Sequence, residues 1–196
     1  MVYMSTDQEL VARVISGEQE AFAELVEAYQ TAVFNLTYRM LGNRGEAEDA
    51  TQEAFLRAYQ HIKRYDPTRP FKTWVMSIAS NYCIDRLRKR RLTWLSIDEP
   101  LPPHPALNSD TPDPEAATVS REREAAMQEL LADLAPDYRA AVVMKYWYDM
   151  SYMEIAEALD TTESAIKSRL FRARQMLADQ MRAGRAPEFN VAMEGA

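Results

Sequence analysis

The chain has 196 residues, 47% of them hydrophobic, and a formal net charge of −7. That length suits one or two packed domains, and the single Cys83 excludes an internal disulfide or a cysteine-rich metal site. His61 and His104 lie too far apart to suggest a histidine metal site, no apolar run approaches membrane-spanning length, and the acidic N-terminus does not read as a signal peptide. The expectation is a cytoplasmic chain with no membrane insertion, no metal and no cofactor.

Glycine is scarce and strand-like alternation is nearly absent, which predicts an all-α fold. Thr6 and Glu9 have capping-box spacing before Leu10, Val11, Val14 and Ile15. Phe22, Leu25, Val26, Tyr29, Val33, Leu36 and Met40 predict a long amphipathic helix that Gly42-Asn43 can end. A third helix is predicted over Glu46–Ile62, with Ala50, Ala54, Phe55, Ala58 and Ile62 as packing positions. Asp66-Pro67 and Arg69-Pro70 make a rigid loop, and a fourth helix follows over Thr73–Arg90.

Thr93 to Val119 is rich in Pro, Asp and Ser and cannot be a helix interior. It reads as an extended linker that could span roughly 80–90 Å. After it, helices are predicted over Glu122–Leu134 and Pro136–Tyr148, with Pro136 suited to a first turn. Ser151 and Glu154 repeat the capping-box spacing and open a short helix to Leu159. The turn Asp160-Thr161 then leads into a helix over Thr162–Leu177. Gly184–Ala196 reads as a loose tail.

This last helix pair has the pattern of a helix-turn-helix, whose second helix can enter the major groove of DNA. Ile166, Leu170, Ala173 and Leu177 form one apolar face, while Lys167, Ser168, Phe171, Arg172 and Gln175 form another face without an acid. The charge distribution agrees with a polyanionic partner despite the negative total. Residues 1–60 carry ten acids against four arginines, residues 67–91 carry seven cations against Asp85, and residues 92–120 carry five acids and no Lys or Arg.

The fourth helix places Trp74, Ser80, Asn81 and Tyr82 ahead of a run of cations, Arg86, Arg88, Lys89, Arg90 and Arg91. Cations at a helix C-terminus offset its dipole, but so many also suit a phosphate-tracking strip beside groups that hold unstacked bases. The loop Arg64–Phe71 would supply a wall of that pocket. The acids Glu46, Glu48, Asp49 and Glu53 either form a solvated helix start or a docking face for a basic partner. Cys83 reads as a buried structural thiol. Met144, Tyr146, Trp147 and Met153 read as core, and Asp137, Asp149 and Glu157 as ordinary surface acids.

Three stretches together carry a family resemblance. EAEDATQEAFLRAY, from Glu46 to Tyr59, resembles region 2.2 of sigma-70-family transcription initiation factors. FKTWVMSIASNYCIDRLRKRR, from Phe71 to Arg91, resembles regions 2.3 and 2.4, and Ser151–Leu177 resembles region 4.2. Their order and the acidic linker resemble the extracytoplasmic-function (ECF) group, within it the sigma-W and sigma-E-like branch, over about Glu20 to Arg182. Asp160 departs from the glycine common in such turns, a position Asp tolerates.

The resemblance implies a sigma-2 helical bundle over residues 1–92, the linker over 93–119, a sigma-4 helix-turn-helix domain over 120–183 and the tail over 184–196. It implies docking on core RNA polymerase, on the β′ clamp helices and the β flap, with Glu46, Asp49, Gln52, Glu53 and Arg57 as the clamp-helix contacts. It implies that Lys167, Ser168, Phe171, Arg172 and Arg174 approach the −35 promoter element as duplex. It further implies that Phe71, Trp74, Ser80, Asn81, Arg86, Arg88, Lys89 and Arg90 capture the −10 element as a single strand, which promotes melting without ATP. An anti-sigma factor is an expected partner, and no catalytic residue is expected. Two other readings compete: a stand-alone helix-turn-helix regulator of duplex DNA, and a metal-dependent nuclease built on the acidic cluster. The first leaves the acidic helix and the Asn81 region without a role.

Overall fold

The computed structural model describes residues 6–95 and 124–182, and every regular element among them is helical. The expected linker beyond residue 95 and the expected tail lie outside the described residues. The helices are α1 (Asp7–Ile15), α2 (Gln19–Leu41), α3 (Arg44–His61), α4 (Phe71–Leu95), α5 (124–132), α6 (Pro136–Tyr148), α7 (Tyr152–Ala158) and α8 (Glu163–Arg182), with a 3-10 turn at Ile62–Arg64. Because α4 is helical through Leu95, an extended segment does not begin at Thr93 as the composition suggested.

Local chemistry sets the helix ends. Thr6 and Glu9 form the reciprocal capping box of α1. Gly42 ends α2 in the left-handed region at φ 70°, and the Asn43 side chain accepts the Glu46 N–H at 2.9 Å to start α3. The buried Thr37 hydroxyl contacts the Ala47 carbonyl and the Thr51 hydroxyl, joining α2 to α3. Leu25, Leu36, Met40, Phe71, Val75 and Met76 fill the space between α2, α3 and α4. Burial of each large apolar side chain stabilises by roughly 1.5–3 kcal/mol.

The second half is a smaller bundle closed by Leu131, Leu134, Met144, Ile155, Ile166 and Leu170. Ser151 and Glu154 complete the second capping box at α7, and these bonds hold the Glu154 carboxyl below its ordinary pKa. Asp149 and Asp160, at φ 49° and 46°, are the two non-glycine residues with positive φ among the described residues. Both sit where a helix must stop, and Asp visits this region more readily than most residues. Asp160 therefore turns the helix-turn-helix without glycine.

The two bundles pack on each other, α4 against α6 and α7, and α2 against α6. Their buried residues form one contiguous core. Trp147 lies half-buried there with the Arg39 guanidinium 4.9 Å from its ring centre. Met144 is core as expected, but Tyr146 (43% exposed) and Met153 (58%) are not: they lie on the outer faces of α6 and α7.

Candidate nucleic-acid interface

Ile166, Leu170 and Ala173 seat α8 on its bundle, and the Thr162 hydroxyl accepts the Ala165 N–H at 3.2 Å to cap its start. With that face buried, Lys167, Ser168, Phe171 and Arg172 point to solvent together. Phe171 is 55% exposed, a large ring left in water on a helix whose other apolar face is satisfied. Among the described residues, Lys167 makes a long ion pair to Glu163, at 3.8 Å, and a contact with the Tyr152 ring. Arg174 sits half-buried at the margin, and Leu177 is also only half-buried.

The α4 face differs from the sequence expectation at two positions. Phe71 and Ser80 are both fully buried. Phe71 is the hub of a ring cluster, 5.5 Å from Tyr29, 5.7 Å from Tyr65 and 5.6 Å from Trp74. The Ser80 hydroxyl turns back to the Ser77 carbonyl at 3.1 Å. Neither side chain reaches the surface here: Phe71 opens the helix on its core face, and Ser80, two and a half turns on and so on the opposite side of α4, is covered as well. Trp74 is half-buried beside Tyr65, and Asn81, Arg88, Lys89 and Arg90 are exposed, with Arg86 half-buried. Cys83 lies beneath this face, and burial pushes its thiol up to about 12.

The acidic start of α3 splits into two roles. Glu46 lies 3.6 Å from Arg86 and 3.4 Å from Arg90, so it is drawn toward α4. Glu53 pairs with Arg57 at 2.6 Å, and the Arg57 guanidinium stands 4.8 Å from the Tyr82 ring centre. Asp49 and Gln52 point outward. Beside them Leu56 is 51% and Tyr59 40% exposed, and both line an open apolar groove with Phe22, Val26 and Phe55 between α2 and α3. Sequence reasoning missed Leu56 and Tyr59 as surface groups. The signal was there: Leu56, two residues from both Ala54 and Ala58, falls on the far side of the helix from that packing stripe.

Contacts across the two bundles were also invisible in the sequence. The Ser77 hydroxyl and the Asn81 amide both donate to the Ala158 carbonyl at the end of α7, at 2.9 and 3.2 Å. Arg88 donates twice to Asp137, at 3.0 and 2.9 Å, and Arg169 reaches the same carboxylate at 4.0 Å. Glu157 lies 3.9 Å from Arg69. Asp137 and Glu157 are thus partners of α4 and the loop before it, not ordinary surface acids. Among the described residues no cluster of His, Cys, Asp or Glu is arranged to hold a metal ion, and no helix is long and apolar enough to cross a membrane.

A family model described as Sigma-70 region 2 matches residues 25–93, and one described as Sigma-70, region 4 matches residues 124–177. The ECF RNA polymerase sigma factor SigW of Bacillus subtilis (strain 168) is 38% identical over 177 residues, covering 88% of this chain and 95% of that protein. The ECF RNA polymerase sigma-E factor of Escherichia coli (strain K12) is 33% identical over 178 residues, covering 88% and 92%. The structure of CnrH in complex with the cytosolic domain of CnrY is similar with a TM-score of 0.67 at 25% identity, covering 91% of this chain and 99% of that one. The sigma factor RpoE in complex with the anti-sigma factor NepR from Bartonella quintana shares the fold, with a TM-score of 0.62 at 21% identity and coverage of 82% and 96%. Two region models matched in chain order, and relatives covered almost end to end, establish that this chain belongs to the sigma-70 family of RNA polymerase sigma factors, in its extracytoplasmic-function group.

Proposed function

We propose that the chain binds core RNA polymerase, carries it to specific promoters and holds the −10 non-template strand open. The observation that carries this reading is the presence, in one chain, of two unlike nucleic-acid faces. The α8 face offers Lys167, Ser168, Phe171 and Arg172 in solvent, with the side-chain types that read base edges and phosphates of a duplex. The α4 face offers Asn81, Trp74 and the cations Arg86 to Arg90, a set suited to a parted strand. A stand-alone duplex regulator needs only the first.

The α3 face, with Asp49, Gln52 and Glu53 beside Leu56 and Tyr59, is the proposed polymerase handle. Carboxylates would steer a basic partner helix, and the apolar groove would supply the buried area that gives such contacts their strength. No step of this work is a covalent reaction, so the chain acts as a binding subunit, and it acts in the cytoplasm where the polymerase is. Relatives solved with anti-sigma factors support an anti-sigma partner here as well. The test is transcription of host genomic DNA in vitro by core polymerase with and without this chain, with start-site sequencing. New defined start sites are expected; an unchanged set would refute the reading.

A further inference from the structure

We propose that Asp7 and Gln8, neighbours in the first turn of α1, are positioning residues for strand capture: they hold the loop from Tyr65 to Pro70 against Trp74, as one wall of the α4 strand-binding face. The inference rests on the role proposed for that face. The loop has little means of fixing itself, because Pro67 and Pro70 have no N–H to donate. Asp66 closes its first turn, accepting the Thr68 N–H at 2.9 Å and the Thr68 hydroxyl at 2.7 Å. Side chains hold the carbonyls that follow. The Tyr65 hydroxyl donates to the Arg69 carbonyl, and the Gln8 amide reaches in from α1 and donates to the Pro67 carbonyl at 2.7 Å.

Asp7 acts on the other side of the same wall. Its carboxylate accepts the Tyr29 hydroxyl of α2 at 2.6 Å. Burial first, and then this carboxylate, raise the Tyr29 hydroxyl above its ordinary pKa, so it stays a donor. The Tyr29 ring stands 5.5 Å from Phe71, and Phe71 and Tyr65 stand 5.6 and 5.3 Å from Trp74. The half-buried Trp74 ring therefore rests on rings whose hydroxyls are tied, Tyr29 to Asp7 and Tyr65 to the loop.

The first turn of α1 is a fixed point from which to do this. The Thr6–Glu9 capping box closes it, and Leu10, Val11 and Val14 bury the helix against α2 and the 3-10 turn. Gln8 itself is exposed, and a single exposed hydrogen bond adds little net stability because water replaces the lost partner. Water cannot fix where the Pro67 backbone stands. Loss of the tie therefore costs the fold little, but it frees the exposed Thr68 and Arg69 to shift relative to Trp74, on the surface a parted strand would meet.

The experiment uses holoenzyme, core polymerase reconstituted with the full chain, on host genomic DNA. Start-site sequencing identifies the promoters used, and permanganate reactivity followed over time gives the opening rate at them. Gln8→Met keeps the side-chain length, removes the donor and leaves the charge unchanged. Tyr29→Phe removes the other tie and keeps the ring. Opening should slow about threefold in each if the freed wall holds its place about a third of the time. Base preference should relax at the −10 element and stay the same at the −35 element, with closed-complex occupancy unchanged. The denaturant midpoint of Gln8→Met should match that of the unaltered chain. Gln8→Lys returns a donor of similar reach and should recover the rate. Gln8→Met with Ser16→Lys adds the same charge about two turns along α1, away from Pro67, and should not. Normal opening and −10 preference in Gln8→Met overturn the proposal, as does a slowing matched by a fallen midpoint or cured equally by Ser16→Lys. Defined starts from the unaltered chain alongside any of those results remove the positioning role and keep the promoter role, whereas no defined starts remove both.

Discussion

The Arg90 guanidinium lies 3.4 Å from the Glu46 carboxylate, so the start of α3 and the basic end of α4 share one ion-paired edge. The acid that heads the docking cluster is therefore engaged within the chain, Glu53 is paired with Arg57, and Asp49 carries its charge outward. Glu46→Gln should leave capture of core polymerase near its normal level and change stability by about 0–1 kcal/mol, the usual range for partly exposed pairs. Asp49→Lys with Glu53→Lys should greatly weaken capture in a pull-down. Equal retention of polymerase by both variants would show that α3 charge does not steer docking.

On α8, Lys167 and Arg172 share the solvent face left when Ile166 and Leu170 are buried. Replacing either by Ala should weaken binding to the −35 duplex, and a lost bidentate base contact should cost about 1–3 kcal/mol of discrimination. Titrations against native and base-substituted −35 duplexes check this. Each variant should lose more affinity for the native sequence than for the substituted one if its contact is to a base, and equally for both if it is to phosphate.

Asn81→Ala should slow open-complex formation more than it weakens duplex binding. The amide is exposed on α4 and its bond to Ala158 shows that it can donate outward. Permanganate footprinting of unpaired thymines, followed over time, reads the melting step directly. Normal melting kinetics would move the −10 role away from Asn81.

Phe71→Ala should damage the protein by a different route. The ring is fully buried among Tyr29, Tyr65 and Trp74, so its loss should destabilise by about 3–5 kcal/mol. Denaturant unfolding should show the shift in midpoint, and any transcription defect should scale with it. Unchanged stability with lost melting would instead return Phe71 to the strand-binding set.

The helical fold was legible because its signals are local. Capping boxes at Thr6 and Ser151, the Gly42 stop and the apolar spacing of α2 and α8 each depend on residues within a turn or two. The solvent exposure of Lys167, Ser168, Phe171 and Arg172 on α8 followed from the same periodicity. The burial of Phe71 and Ser80 was not legible, because what covers a side chain need not be near it in sequence: Tyr29, packed on Phe71, is 42 positions away. Asp137 and Glu157 looked idle for the same reason: their partners Arg88 and Arg69 lie across the bundle contact. Tyr146 and Met153 were read as core because apolar type was taken for burial, though their helices bury other faces.

Reconstitution with core polymerase stripped of every sigma subunit bears most directly on the role assigned to this chain. Adding the purified chain should yield a stable complex that starts transcription at a small, reproducible set of promoters with unpaired −10 thymines. Failure to associate with that core, at concentrations where another sigma factor binds it, would contradict the assignment.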